Sequence, residues 1–129
     1  MIARDVMTRE VVTINPAATI RELSKVLVRN RISGVPVVDG KGKILGVVSE
    51  ADVVEKKGKR VSSILSAPPI TVTEETPVEE IAKLMTFRKV KRLPLVRGAK
   101  LMGIVSPADI VSAIAIGQQV SLHTPVYDL

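Results

Sequence analysis

The sequence predicts a mixed α/β (α+β) fold: two copies of one β-α-β-β-α unit, related by a pseudo-twofold axis. Three observations carry this. Val12-Thr13-Ile14 recurs 58 positions later as Ile70-Thr71-Val72, and Val35-Pro36-Val37-Val38 recurs at the same offset as Leu93-Pro94-Leu95-Val96. One deletion later, Gly46 to Asp52 recurs as Gly103 to Asp109. The copies fill most of the 129 residues, about 2–58 and 60–116. A solenoid needs three or more repeats, so two copies point to a closed pair.

Each element follows from local pattern. Val11 to Ile14 is a short apolar segment. Pro16 and Thr19 introduce a helix with Ile20, Leu23, Val26 and Leu27 on one face, and Val78, Ile81, Leu84 and Met85 repeat that face in the second copy. Gly34 interrupts, and Val35 to Val38 is a strand. The turn Asp39-Gly40-Lys41-Gly42 leads to a second strand, Ile44 to Val48, and Gly-rich turns between β-branched runs mark hairpins. A helix follows from Glu50, and its counterpart starts near Pro107, a favoured first helical position. The central strands are apolar on both faces, so helices should cover them. Glu55 to Arg60 is polar, contains Gly58 and reads as a linker. The tail, 117–129, has no periodicity, and His123 reads as a surface residue within it.

Composition narrows the function. There is no Cys, hence no disulfide, thiolate nucleophile or Cys-ligated metal. With one His, acid–base catalysis and a His-rich metal site have little material, so no enzyme, cofactor or metal is expected. No apolar run approaches the roughly 20 residues of a membrane span. The opening MIARDVMTRE lacks the apolar core of a signal peptide, so a cytoplasmic protein is expected. The absence of Cys, sparse Asn and many aliphatics are a thermophile's composition. Aromatic residues are 2% of the chain, so a base-stacking surface is not expected and the two units must share an aliphatic core. The net charge of +6 invites nucleic acid, but no recognition motif for it is present.

Two motifs carry chemistry. Ser49-x-x-Asp52 and Ser106-x-x-Asp109 stand before apolar helices. Each reads as a helix N-cap, a capping box with Asp in place of Glu, and equally as a carboxylate able to accept both hydrogen bonds of a ribose diol. Arg88-Lys89-Val90-Lys91-Arg92 is the densest basic cluster. It suits a helix C-terminus and also a phosphate. Gly46 and Gly103, repeated before Val-Val-Ser and Ile-Val-Ser, imply close backbone approach to a ligand or a helix.

The phrases Ser33-Gly34-Val35-Pro36-Val37-Val38-Asp39 and Gly46-Val47-Val48-Ser49-Glu50-Ala51-Asp52, with Lys91 to Val96 and Gly103 to Asp109 in the second copy, strongly resemble the CBS (cystathionine β-synthase) domain. The chain resembles a tandem CBS pair, or Bateman module, over nearly its whole length. The resemblance implies a regulatory binder of AMP, ADP or ATP, or alternatively of S-adenosylmethionine, with two clefts between the repeats. Carried over by position, one site comprises Ser49, Ala51, Asp52, Pro68, Pro69, Ile70, Val90, Lys91, Arg92, Leu93 and Pro94. The other comprises Val12, Thr13, Ile32, Ser33, Gly34, Val35, Pro36, Ser106, Ala108 and Asp109. Lys91 and Arg92 make the first the favoured, tighter site. Pro107 removes an N–H donor from the second. The resemblance further implies a homodimer through helices carrying Val26, Val28, Val111 and Ile116, and an effector protein in trans. The remaining reading is a basic nucleic-acid-binding or dimerisation scaffold without ligand.

Overall fold

The computed structural model describes residues 1–117; the rest of the expected tail, with His123, lies outside the described residues. The chain divides into two compact units that do not follow the sequence copies. One comprises 1–10, 70–97 and 102–117; the other comprises 11–69 and 98–101. Each holds its own buried cluster, so two aliphatic cores replace the single shared core that the composition suggests.

In the unit built on 11–69, α2 (Ile20–Asn30) starts at Thr19. The Thr19 hydroxyl accepts from Glu22 N–H at 3.1 Å, and the Glu22 carboxylate accepts from Thr19 N–H at 3.1 Å. Leu23 and Leu27 are buried, with Ile20 and Val26 packed beside them, as the 3.6-residue spacing requires. The helix ends on Arg31 in the left-handed region, φ +53°. Strands β1 (Gly34–Val38) and β2 (Ile44–Ser49) form an antiparallel hairpin pairing Gly34 with Ser49 and Val37 with Gly46. Val35, Pro36 and Val37 are all buried, so β1 is covered on both faces, whereas β2 alternates. The turn is held by the Asp39 carboxylate, which accepts from Lys41 and Lys43 N–H, and by Gly42 at φ +82°. The short helices α3 (Glu50–Glu55) and α4 (Val61–Ile64) complete the unit, Val61 and Ile64 being fully buried.

The expected leading strand shrinks to one residue. Ile14 bridges Val37 in parallel, its N–H donating to the Pro36 carbonyl and its carbonyl accepting from Val38. Pairing stops there because the Asn15 side chain accepts from Ala17 N–H and Pro16 lacks a donor. Val72 repeats the arrangement against Leu95.

The other unit carries α1 (Ala3–Val6), α5 (Val78–Phe87), β3 (Leu93–Arg97), β4 (Lys100–Val105, with its first two residues in the other unit) and α6 (Pro107–Ala115). Its core is Ala3, Val6, Val72, Val78, Ile81, Leu93, Leu95, Val105, Ile110 and Ala113. Helix α1 thus packs with the second copy's hairpin, and α4, 58 residues later, with the first copy's.

The segment Glu55–Arg60 is not a free linker. The Arg60 guanidinium donates to the Ala17 carbonyl at 2.9 Å, and Ile20 N–H donates to the Lys59 carbonyl. A Cβ on Gly58 would stand 2.6 Å from that of Ser63.

Candidate functional site

Each hairpin ends on a serine that caps the following helix. At the end of β2, the Asp52 carboxylate accepts through Oδ2 from Ser49 N–H at 2.9 Å and from the Ser49 hydroxyl at 3.1 Å. Asp52 N–H donates to Ser49 Oγ at 3.4 Å, which closes the box. Through Oδ1, Asp52 accepts from the Ser66 hydroxyl at 3.3 Å and pairs with Lys56 Nζ at 2.8 Å. The same ammonium donates to the Ile64 carbonyl at 3.1 Å and to Ser66 Oγ at 3.2 Å, so its three protons are placed. Asp52 is one of two buried charged residues among the described residues, at 8% exposure. Burial pushes its carboxyl up, but the Lys56 ammonium and the Ser49 donors outweigh this and hold it below the usual carboxylate range.

The second copy repeats the box with one part missing. Asp109 Oδ2 accepts from Ser106 N–H at 2.8 Å and from its hydroxyl at 3.0 Å, and Oδ1 accepts from the Thr8 hydroxyl at 2.9 Å. Thr8 is the counterpart of Ser66, 58 positions earlier. Among the described residues no cation is paired with Asp109, which is partly exposed.

The repeated glycines explain how these hydroxyls arrive. Val47 and Ser66 exchange backbone hydrogen bonds, at 3.0 and 2.8 Å, and so do Ile104 and Thr8, at 2.8 and 3.0 Å. A Cβ on Gly46 would meet the Ser66 carbonyl oxygen at 2.5 Å. On Gly103 it would meet Met7 Sδ at 2.8 Å and the Thr8 carbonyl at 3.0 Å. The close approach expected of a ligand or a helix is made instead by extended backbone just past the short helices α4 and α1.

The sequence-expected residues distribute as follows. The unit of 11–69 holds Ser49, Ala51, Asp52, Pro68 and Pro69 of the first expected site, and Val12, Thr13 and Ile32 to Pro36 of the second. There Glu50 N–H donates to the Ser33 carbonyl, and Gly34 lies opposite Ser49. The other unit holds Ile70 and Val90 to Pro94 of the first, and Ser106, Ala108 and Asp109 of the second. Val35 and Leu93 have their side chains in the cores, Pro36 and Pro94 are fully buried, and the Pro36 and Pro94 carbonyls accept from Ile14 and Val72. Half-buried Ile32, Ile70 and Val90 keep accessible apolar surface. Sequence reasoning missed Thr8, Ser66 and Lys56. The hydroxyl kept at both copies of one position, and the Asp-to-Lys i,i+4 spacing, were the available signals.

The signature of the CBS domain matches residues 3–59 and 61–116. The chain is 34% identical, over 112 residues, to an inosine-5'-monophosphate dehydrogenase of Methanocaldococcus jannaschii, a match covering 84% of this chain and 23% of that protein. A second protein of that organism, MJ1232, is 35% identical over 124 residues, covering 93% of this chain and 42% of the relative. The chain therefore spans less than half the length of these relatives. Among solved structures, CBSX2 in complex with AMP superposes with a TM-score of 0.84 at 27% identity, covering 89% of this chain and 96% of the other; CBSX2 is a CBS-pair protein of Arabidopsis thaliana. The CBS domain pair of MJ0100, in complex with 5-methylthioadenosine and S-adenosyl-L-methionine, superposes at 0.79 with 25% identity, covering 88% and 99%.

Proposed function

Because the chain belongs to the CBS domain family, as a tandem pair, we propose that it is a regulatory module that binds an adenosine nucleotide and performs no catalysis itself. The observation that carries this reading is the carboxylate built twice. Asp52 and Asp109 each stand in a capping box, and each accepts a further hydroxyl from a distant segment. A helix cap alone needs only the box. A carboxylate held in place by several donors suits the directed recognition of a ribose hydroxyl, whose O–H donates to it. AMP, held by the similar CBSX2, is the first candidate, ADP and ATP following; S-adenosylmethionine, bound by the similar MJ0100 pair, is the second reading.

The same reading gives the base and phosphate to Val90, Lys91, Arg92 and Ile70 for one ligand, and to Val12, Thr13, Ile32, Ser33 and Gly34 for the other. Val28, Phe87, Val111 and Ile116 are exposed on helices or at their ends. A homodimer burying them, passing the ligand signal to an effector protein in the cytoplasm, completes the proposal. Among the described residues no helix is long and apolar enough to cross a membrane.

A thermal-shift series with AMP, ADP, ATP and S-adenosylmethionine tests it. A ligand that binds only the folded state raises the melting temperature, by about 2.7 kcal/mol of stabilisation at a hundred times its Kd. AMP is expected to give the shift. If none of the four moves the transition, the nucleotide reading falls and a scaffold without ligand takes its place.

A further inference from the structure

The two carboxylates differ in what is left for a ligand. An ionised carboxylate offers about four lone-pair positions. Asp52 has all four occupied: Ser49 N–H and hydroxyl on Oδ2, the Ser66 hydroxyl and the Lys56 ammonium on Oδ1. Among the described residues Asp109 has three occupied, by Ser106 N–H, the Ser106 hydroxyl and the Thr8 hydroxyl. The difference is Lys56. Its counterpart in the second copy is Ala113, which lies in the core.

Lys56 is anchored on both sides of the carboxylate. It projects from the C-terminal cap of α3, and its ammonium also holds the Ile64 carbonyl and Ser66 Oγ. A ribose diol approaching Asp52 must displace the charge-assisted bond from Lys56 or the weaker one from Ser66, whereas one approaching Asp109 finds a position open. We propose that Lys56 is an internal competitor for the Asp52 carboxylate. It makes Asp52 the weaker of two ribose sites and sets the nucleotide concentration at which the second site fills. This rests on the nucleotide reading above. It runs opposite to the ranking by phosphate cations, in which Lys91 and Arg92 favour the Asp52 ligand; the proposal is that release of Lys56 costs more than those cations return.

Calorimetric titration of the full chain with AMP decides it. Two unequal steps are expected, the tighter lost in Asp109→Asn and the weaker lost in Asp52→Asn. Lys56→Met, which keeps the stem and removes the ammonium, should tighten the weaker step about tenfold and leave the other unchanged; Lys56→Gln serves if the first variant does not fold. The 2',3'-dideoxy analogue of AMP brings no diol to the carboxylate, so its binding should not respond to Lys56→Met. An equal gain for both ligands, an unchanged or weakened second step, or loss of the tighter step in Asp52→Asn overturns the proposal while the nucleotide reading stands. No heat with AMP from either the wild type or Lys56→Met overturns both.

Discussion

Gly46 shows how a residue with no side chain fixes a fold. Its missing Cβ lets the Ser66 carbonyl come within 2.5 Å of where that atom would stand, so that 65–66 can pair with β2 and deliver the Ser66 hydroxyl to Asp52. The obstacle is backbone held by two hydrogen bonds and cannot move without losing them. At Gly103 the nearest obstacle is Met7 Sδ, a flexible side chain, and the backbone oxygen is half an ångström farther away. Gly46→Ala should therefore cost about 3 kcal/mol and Gly103→Ala about 1 kcal/mol in denaturant unfolding, within the span seen for overpacked sites. Equal costs would mean that both segments yield alike. Both glycines were legible from their recurrence. The buried Glu74 was not: it is 6% exposed and accepts from Arg97 Nε at 3.0 Å and Nη2 at 2.7 Å, but Pro16 and Asp39 hold these places in the first copy, so the repeat gave no hint of the pair.

The helices were the most legible elements, because a 3.6-residue apolar stripe is hard to mimic. Leu23, Leu27, Val78 and Ile81 lie buried where the spacing puts them. Their ends were less so. Arg31 and Lys89 both take φ +53° after their helices, a place glycine usually fills, and no spacing rule announces a basic residue there. The starts also differ. Thr19 and Glu22 form a reciprocal box before α2, whereas Pro77 before α5 makes no side-chain cap. Thr19→Ala should cost about 1 kcal/mol at neutral pH. The Thr19 N–H and hydroxyl hold the Glu22 carboxyl below the usual range. A depressed carboxyl contributes stability above its unfolded pKa and loses it as the pH falls through the folded value. The gap between wild type and Thr19→Ala should therefore narrow on acidification below the usual carboxylate range. Urea denaturation at stepped pH measures it; a gap that widens in acid would assign the effect to something other than the box.

At the scale of the molecule, the repeat revealed the two β-hairpins and the fold family but not the division into units. Repetition marks where a copy starts, not which core its first turn enters. A four-residue helix such as α1 has too few positions to display a period, and nothing in Ala3 or Val6 says which hairpin they pack on. The structure puts them in one cluster with Val72, Val78, Leu93 and Val105. Five backbone bonds join that segment to the second copy. Ala3, Arg4 and Thr8 N–H donate to the carbonyls of Thr76, Glu74 and Ile104, and the Met1 and Thr8 carbonyls accept from Val78 and Ile104. Removing residues 1–10 should accordingly weaken the second copy rather than the first. Loss of the buried Val6 and Ala3 and of these bonds amounts to at least about 3 kcal/mol, equivalent to at least about a hundredfold in an opening equilibrium. In hydrogen exchange, the amides of Val72 and Val96 should lose about that much protection, while those of Ile14 and Val38, in the other unit, change little. Were each sequence copy its own folding unit, the loss would fall instead on Ile14 and Val38, so the same measurement tells the two organisations apart.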